Sequence, residues 1–130
     1  MVKISGEFEV KITPQPGDKG EASSGLGRMS LDKQYRGELE ATSVGEMLTA
    51  MTSTKGSAAY VAVERVAGTL GGKAGTFMLH HTGVMNRSAA SLEVKVVPDS
   101  GTGELAGLEG TMGIRIEQGK HFYDFDYSVK

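Results

Sequence analysis

The chain has 130 residues, a length that fits one domain, with no cysteine and 14 Lys plus Arg against 16 Asp plus Glu for a net charge of −2. The missing cysteines exclude disulfides, thiolate metal sites and a cysteine nucleophile, and without a basic excess nucleic acid is not expected as a partner. Nineteen glycines, about 15% against a typical ~7%, are the compositional anomaly.

The opening residues, Met1 to Phe8, hold no apolar run of signal-peptide type. No segment approaches the ~18 consecutive apolar residues of a membrane helix. The expectation is a cytoplasmic protein without membrane contact.

Alternation of apolar and polar residues dominates the chain. Ile4, Phe8, Val10 and Ile12 share one parity, and Ser5, Glu7, Glu9 and Lys11 share the other, which predicts a half-buried strand. Pro14-Gln15-Pro16-Gly17-Asp18 ends it with turn chemistry, and residues 17–27 read as a loop. Met29, Leu31, Tyr35 and Leu39 then face one way, against Arg28, Ser30, Asp32, Gln34, Arg36, Glu38 and Glu40. This predicts one long strand bent at Gly37. In residues 45–53, Met47, Leu48 and Met51 have helical spacing in a short stretch between Gly45 and Gly56, so helix and strand both stay open.

Further strands are predicted at Ser57–Val66, Thr76–Val84, Ala90–Val97, Gly110–Glu117 and His121–Val129. Gly68 to Gly75, Pro98 to Gly101 and Gln118 to Lys120 are the turns between them. In the last strand His121, Tyr123, Phe125, Tyr127 and Val129 oppose Asp124, Asp126 and Ser128. About eight strands on short turns make an antiparallel all-β domain. Glycines inside strands and a last strand able to pair with the first favour a closed barrel over a sandwich.

Few motifs carry chemistry. Gly101-Thr102-Gly103-Glu104-Leu105-Ala106 has the letters of a dinucleotide loop, but Gly107 and Gly110 would spoil the helix that must follow. Gly72-Lys73 lacks the glycine and the hydroxyl of a phosphate loop, with Ala67 and Ala74 in their places. His80 and His81 are strand neighbours and point to opposite faces, so they cannot share a metal, and no cofactor or metal is expected. His81 shares the face of Phe77 and Leu79, either as a hydrogen-bonded core residue or as an active one. Tyr60 and Glu64 share a face as well. A carboxylate between Ala62 and Val66 is costly unless paired, and Arg65 points the wrong way. Glu64 is therefore either solvated on the outside or turned into a cavity with a raised pKa.

Gly56 to Arg65, Gly68 to Gly83, Val96 to Leu108 and Tyr123-Asp124-Phe125-Asp126-Tyr127 together resemble the DUF3224 family over nearly the whole chain. Ser100-Gly101-Thr102-Gly103-Glu104-Leu105 is the most specific block. The resemblance implies an allene oxide cyclase-like barrel, the small antiparallel fold shared with dirigent proteins. Barrels of that kind bind apolar ligands in the lumen and steer cyclisation or coupling with little covalent chemistry of their own.

The expected function is binding of a small, mostly apolar molecule in the lumen, with cyclisation or isomerisation by acid/base steering. His81, Glu64 and Tyr60 match the family pattern and would be the active groups. Tyr35, Phe77, Leu79, Met112, Tyr123, Phe125 and Tyr127 would line the pocket. The alternative is a non-catalytic oligomeric binding or structural scaffold whose barrel is filled by its own side chains. By analogy a homodimer or homotrimer is expected.

Overall fold

Eight antiparallel strands, each bonded to its sequence neighbour, close into a barrel in the computed structural model, which describes residues 1–15 and 25–130. They are β1 (Val2–Pro14), β2 (Leu26–Tyr35), β3 (Leu39–Met51), β4 (Ala58–Leu70), β5 (Lys73–Asn86), β6 (Ala89–Val96), β7 (Leu108–Glu117) and β8 (Lys120–Val129). The closing seam is β1 on β8, with Val2 opposite Tyr127 and Phe8 opposite His121. No edge is left there for stray pairing. No helix among the described residues is long and apolar enough to cross a membrane.

The structure differs from the sequence reading in two places and decides a third that the sequence left open. The bent strand around Gly37 is two strands: β2 stops at Tyr35, β3 starts at Leu39, and Gly37 has a φ of +110°. That value belongs to a turn residue rather than a pleat. The ambiguous stretch 45–53 is the end of β3 as far as Met51, where pairing to β2 and β4 overrides a short helical spacing. Leu26 and Gly27 open β2 instead of closing the loop, and residues 16–24, which hold most of that predicted loop and the end of the preceding turn, lie outside the described residues. The Gly101–Ala106 segment holds a single 3₁₀ turn, Gly103–Leu105, and no dinucleotide helix.

The interior is filled from the end that carries the chain termini. Phe8, Tyr35, Phe77, Leu79, Val94, Met112, Tyr123, Phe125 and Tyr127 pack there in one cluster. Phe77 stacks on Phe125 with centroids 6.1 Å apart, and Tyr35 meets Tyr123 edge-on at 5.7 Å. Fully burying one such side chain is worth roughly 1.5–3 kcal/mol. The connection from β6 to β7 folds under this end and inserts Leu105, which is buried. Hydrogen bonds from Val97 N–H to the Met78 carbonyl (2.9 Å) and from Thr102 N–H to the Thr76 carbonyl (2.8 Å) hold it there.

The opposite end is looser. β6 and β7 are in register only at Val94–Met112 and Lys95–Thr111. Beyond that point β6 pairs with β5 alone and β7 with β8 alone. We call this the open end.

Candidate functional site

One carboxylate organises the interior. Alternation along β4 turns Tyr60, Ala62, Glu64 and Val66 inward, and Glu64 is 2% exposed. Its Oε1 accepts hydrogen bonds from the Tyr35 hydroxyl and from Ser43 Oγ at 2.9 Å. Its Oε2 accepts from Lys33 Nζ at 2.8 Å and from His81 Nε2 at 2.6 Å. Four donors from β2, β3 and β5 thus saturate one buried anion. Lys33 is itself buried, with Nζ 5.1 Å from the Phe8 ring centroid. No fully buried side-chain nitrogen or oxygen among the described residues lacks a partner.

These contacts reverse the expected shift of Glu64. Burial is the largest single influence and pushes its pKa up, but the His81 hydrogen bond and the nearby Lys33 outweigh it and leave the pKa lowered to about 2. A raised value would have needed a cavity without donors. Tyr35 moves the other way: burial first, then the Glu64 charge, hold its hydroxyl well above the ordinary range. Tyr60 is raised by the same two causes.

The arrangement defines the role each group can play. An ionised carboxylate only accepts, so His81 presents a hydrogen on Nε2. His81 Nδ1 makes no hydrogen bond among the described residues, and since no fully buried polar atom there is left without one, Nδ1 is not sealed off. Glu64 is an orienting group for the imidazole, which it holds at Nε2.

Next to His81, at 6.4 Å between ring centroids, lies Tyr60. Its hydroxyl makes no hydrogen bond among the described residues, and its ring rests on Gly83 of β5. Tyr60 also borders an apolar recess of about 290 Å³ at the open end, lined with Met47, Thr49, Met51, Met85 and Leu92. Tyr60 therefore stands between the polar cluster and this space, which His81 itself does not line.

The sequence put Tyr60 and Glu64 on one face without deciding whether it points in or out, and His81 on the face of Phe77 and Leu79; the fold turns all three inward and brings them together. Tyr35 joins them through its hydroxyl. Phe77, Leu79, Met112, Tyr123, Phe125 and Tyr127 are packed in the core cluster and do not border the recess. Tyr123 instead ties down the turn after β2: its hydroxyl donates to the Arg36 carbonyl at 2.8 Å and accepts from Leu39 N–H at 3.2 Å. His80 is exposed, as expected of the outward neighbour of His81. Met78 is an outer-wall residue and not core. Sequence reasoning missed Lys33 and Ser43, although Lys33 has the parity of Leu31 and Tyr35, and Ser43 that of Leu39 and Ala41.

Residues 4–127 match the DUF3224 family, described as a protein of unknown function. The chain belongs to the DUF3224 family. A solved DUF3224 structure from Shewanella oneidensis MR-1, titled as a protein with unknown function, is 52% identical, with a TM-score of 0.93 over 100% of this chain and 98% of that one. No curated protein matches the chain. The DUF3224 assignment thus agrees with the barrel and leaves activity to be argued from the site.

Proposed function

We propose that this DUF3224 barrel binds a small, mostly apolar molecule in the open-end recess and that His81 exchanges a proton with it. One observation carries the reading. A buried carboxylate with four donors holds Nε2 of a histidine whose Nδ1 has no partner among the described residues, and Tyr60 stands between that histidine and an apolar space. Taking charges out of water costs several kcal/mol per ion, and an apolar core of equal volume is often as stable. A cluster of this expense beside an apolar recess fits a ligand site better than plain packing.

The chemistry follows from the roles. Neutral His81 accepts a proton at Nδ1 from an acidic position of the ligand, such as a carbon beside a carbonyl. The Glu64 carboxylate at Nε2 stabilises the imidazolium that forms. His81 then returns the proton at another atom, which gives isomerisation or ring closure without a cofactor. Tyr60 supplies a free hydroxyl to a polar atom of the ligand.

The filled lower barrel favours the scaffold reading for that half of the molecule, and it confines the ligand to the open end. The test is thermal melting against a panel of apolar ketones, enones and hydroxylated ring compounds. A ligand at a hundred times its Kd adds about 2.7 kcal/mol to the folded state, a rise of several degrees. His81→Asn should weaken the shift, and with a substrate identified it should abolish proton exchange at the ligand. No shift across the panel, or shifts that ignore both His81→Asn and Tyr60→Phe, would overturn the reading.

A further inference from the structure

Above the filled core the lumen opens to solvent. Ile12, Met51, Met85, Leu92 and Ile116 stand on the inward parity of β1, β3, β5, β6 and β7, yet all are exposed, from 40% at Leu92 to 67% at Ile116. Inward residues nearer the other end, such as Phe77 and Leu79, are fully buried. Apolar side chains gathered on the inside of a barrel and left uncovered there mark a binding space.

The recess at this end has a definite chemistry. Among the described residues its lining is apolar or hydroxylic, with no acid, amine, guanidinium or imidazole. The buried charges of Lys33 and Glu64 are paired at 2.8 Å, and neither residue borders the recess. A carboxylate or ammonium brought into this space would lose water and meet no counter-ion. An uncharged ligand avoids that cost.

Two features of the wall narrow the class further. Met47, Met51 and Met85 bring three thioethers to the recess from β3 and β5. Sulfur makes favourable contacts with aromatic rings, and the unbranched methionine chain adapts to a ring's outline. Strand pairing also aligns Gly27, Thr49, Tyr60, Gly83 and Leu92 in one inner row. Thr49 Oγ1 lies over Gly27 and the Tyr60 ring over Gly83, so the two glycines give these side chains their room. Neither hydroxyl makes a hydrogen bond among the described residues. Each can bond one polar atom of a ligand.

We propose that the open-end recess selects an uncharged aromatic ring bearing a single hydroxyl or carbonyl oxygen, with the ring against Met47, Met51 and Met85 and the oxygen on the Tyr60 hydroxyl. The inference rests on the reading of the open end as a ligand site and adds the ligand's charge and ring type. The same lining disfavours a fatty acid or any other charged amphiphile.

The test uses one carbon skeleton on the intact chain at neutral pH, where 2-naphthol is uncharged. Binding of 2-naphthol is followed by its fluorescence, and naphthalene, 2-naphthoate, 2-naphthylmethylammonium and decahydro-2-naphthol compete with it. The two charged compounds should each bind at least about tenfold more weakly than 2-naphthol. The saturated alcohol should be weaker by roughly threefold, and replacing the three methionines together (Met47→Leu, Met51→Leu, Met85→Leu) should erase that difference. Tyr60→Phe should weaken 2-naphthol by roughly threefold to tenfold and leave naphthalene unchanged. Met85→Lys puts a cation at the recess and should turn the preference towards 2-naphthoate.

Either charged compound matching 2-naphthol on the unaltered chain, with Tyr60→Phe and Met85→Lys still changing affinities, would overturn the ligand class and leave the open-end site standing. An aromatic preference that survives the triple methionine variant would overturn the role given to the thioethers. No binding by any compound, or binding that ignores both Tyr60→Phe and Met85→Lys, would overturn the open-end reading and this inference with it.

Discussion

Lys33 Nζ stands 2.8 Å from the Glu64 carboxylate, and both side chains are almost wholly withdrawn from solvent. The pair spans β2 and β4, which do not touch as neighbours in the sheet, so it crosses the barrel interior. Each charge depends on the other. Glu64→Gln leaves a buried ammonium without its anion, and Lys33→Met leaves the carboxylate without its ammonium partner. Each single change should cost about 3–5 kcal/mol in urea unfolding. The double variant removes both charges and should cost less than the sum by at least about 1 kcal/mol. Additive losses would show that the two are not coupled.

Acid should release the same cluster. The Glu64 pKa is lowered from 4.5 to about 2 in the folded chain. A depressed carboxylate contributes stability that is complete above its unfolded value and is lost as pH falls through that value towards the folded one. The expected loss runs from about pH 5 to pH 2 and is on the order of 3 kcal/mol. Asp124 is depressed too, through hydrogen bonds from Arg115 and Ser5, but it lies at the surface, where salt screens it. Chemical denaturation at stepped pH should therefore show a drop in the wild type that salt barely changes and that Glu64→Gln flattens.

What the sequence made legible was periodic. Alternation in the last strand put Tyr123, Phe125 and Tyr127 inside, and all three are buried. The pairing of the first strand with the last followed from glycines inside the strands and from the sheet edges that closure removes. Gly37 was misplaced because a glycine within an apolar and polar alternation looks the same whether the strand bends or turns back. Lys33 was missed because a cation on an inward parity reads as noise until its partner is known, and that partner lies 31 residues on. The direction of the Glu64 shift was hidden for the same reason. Burial is local and visible, but the donors that overrule it come from three other strands.

Tyr123 should prove a structural latch rather than a pocket residue. Its hydroxyl bonds the Arg36 carbonyl and the Leu39 N–H, which closes the turn between β2 and β3. Tyr123→Phe keeps the ring packing and leaves both backbone groups without that partner. The expected cost is about 1–3 kcal/mol. Amide exchange should quicken at residues 36–39 first, with His81 and the open end undisturbed. Equal acceleration around the whole barrel would mean that the hydroxyl supports the core at large.

Gly83 should control the position of Tyr60. A β-carbon built on Gly83 would overlap the Tyr60 ring, so the ring holds its place beside His81 because β5 has no side chain there. Gly83→Ala must push the ring off, at a cost of about 1–3 kcal/mol for overpacking. The displaced ring moves towards the recess and takes space from any ligand in it. Tyr60→Ala removes the obstacle, so Gly83→Ala should cost less in that background than alone. If ligands of the open end are found by thermal shift, Gly83→Ala should lose the larger ones first, because it reduces room at the Tyr60 side while leaving the His81–Glu64 pair intact. A uniform loss across ligand sizes would place the binding space elsewhere in the barrel.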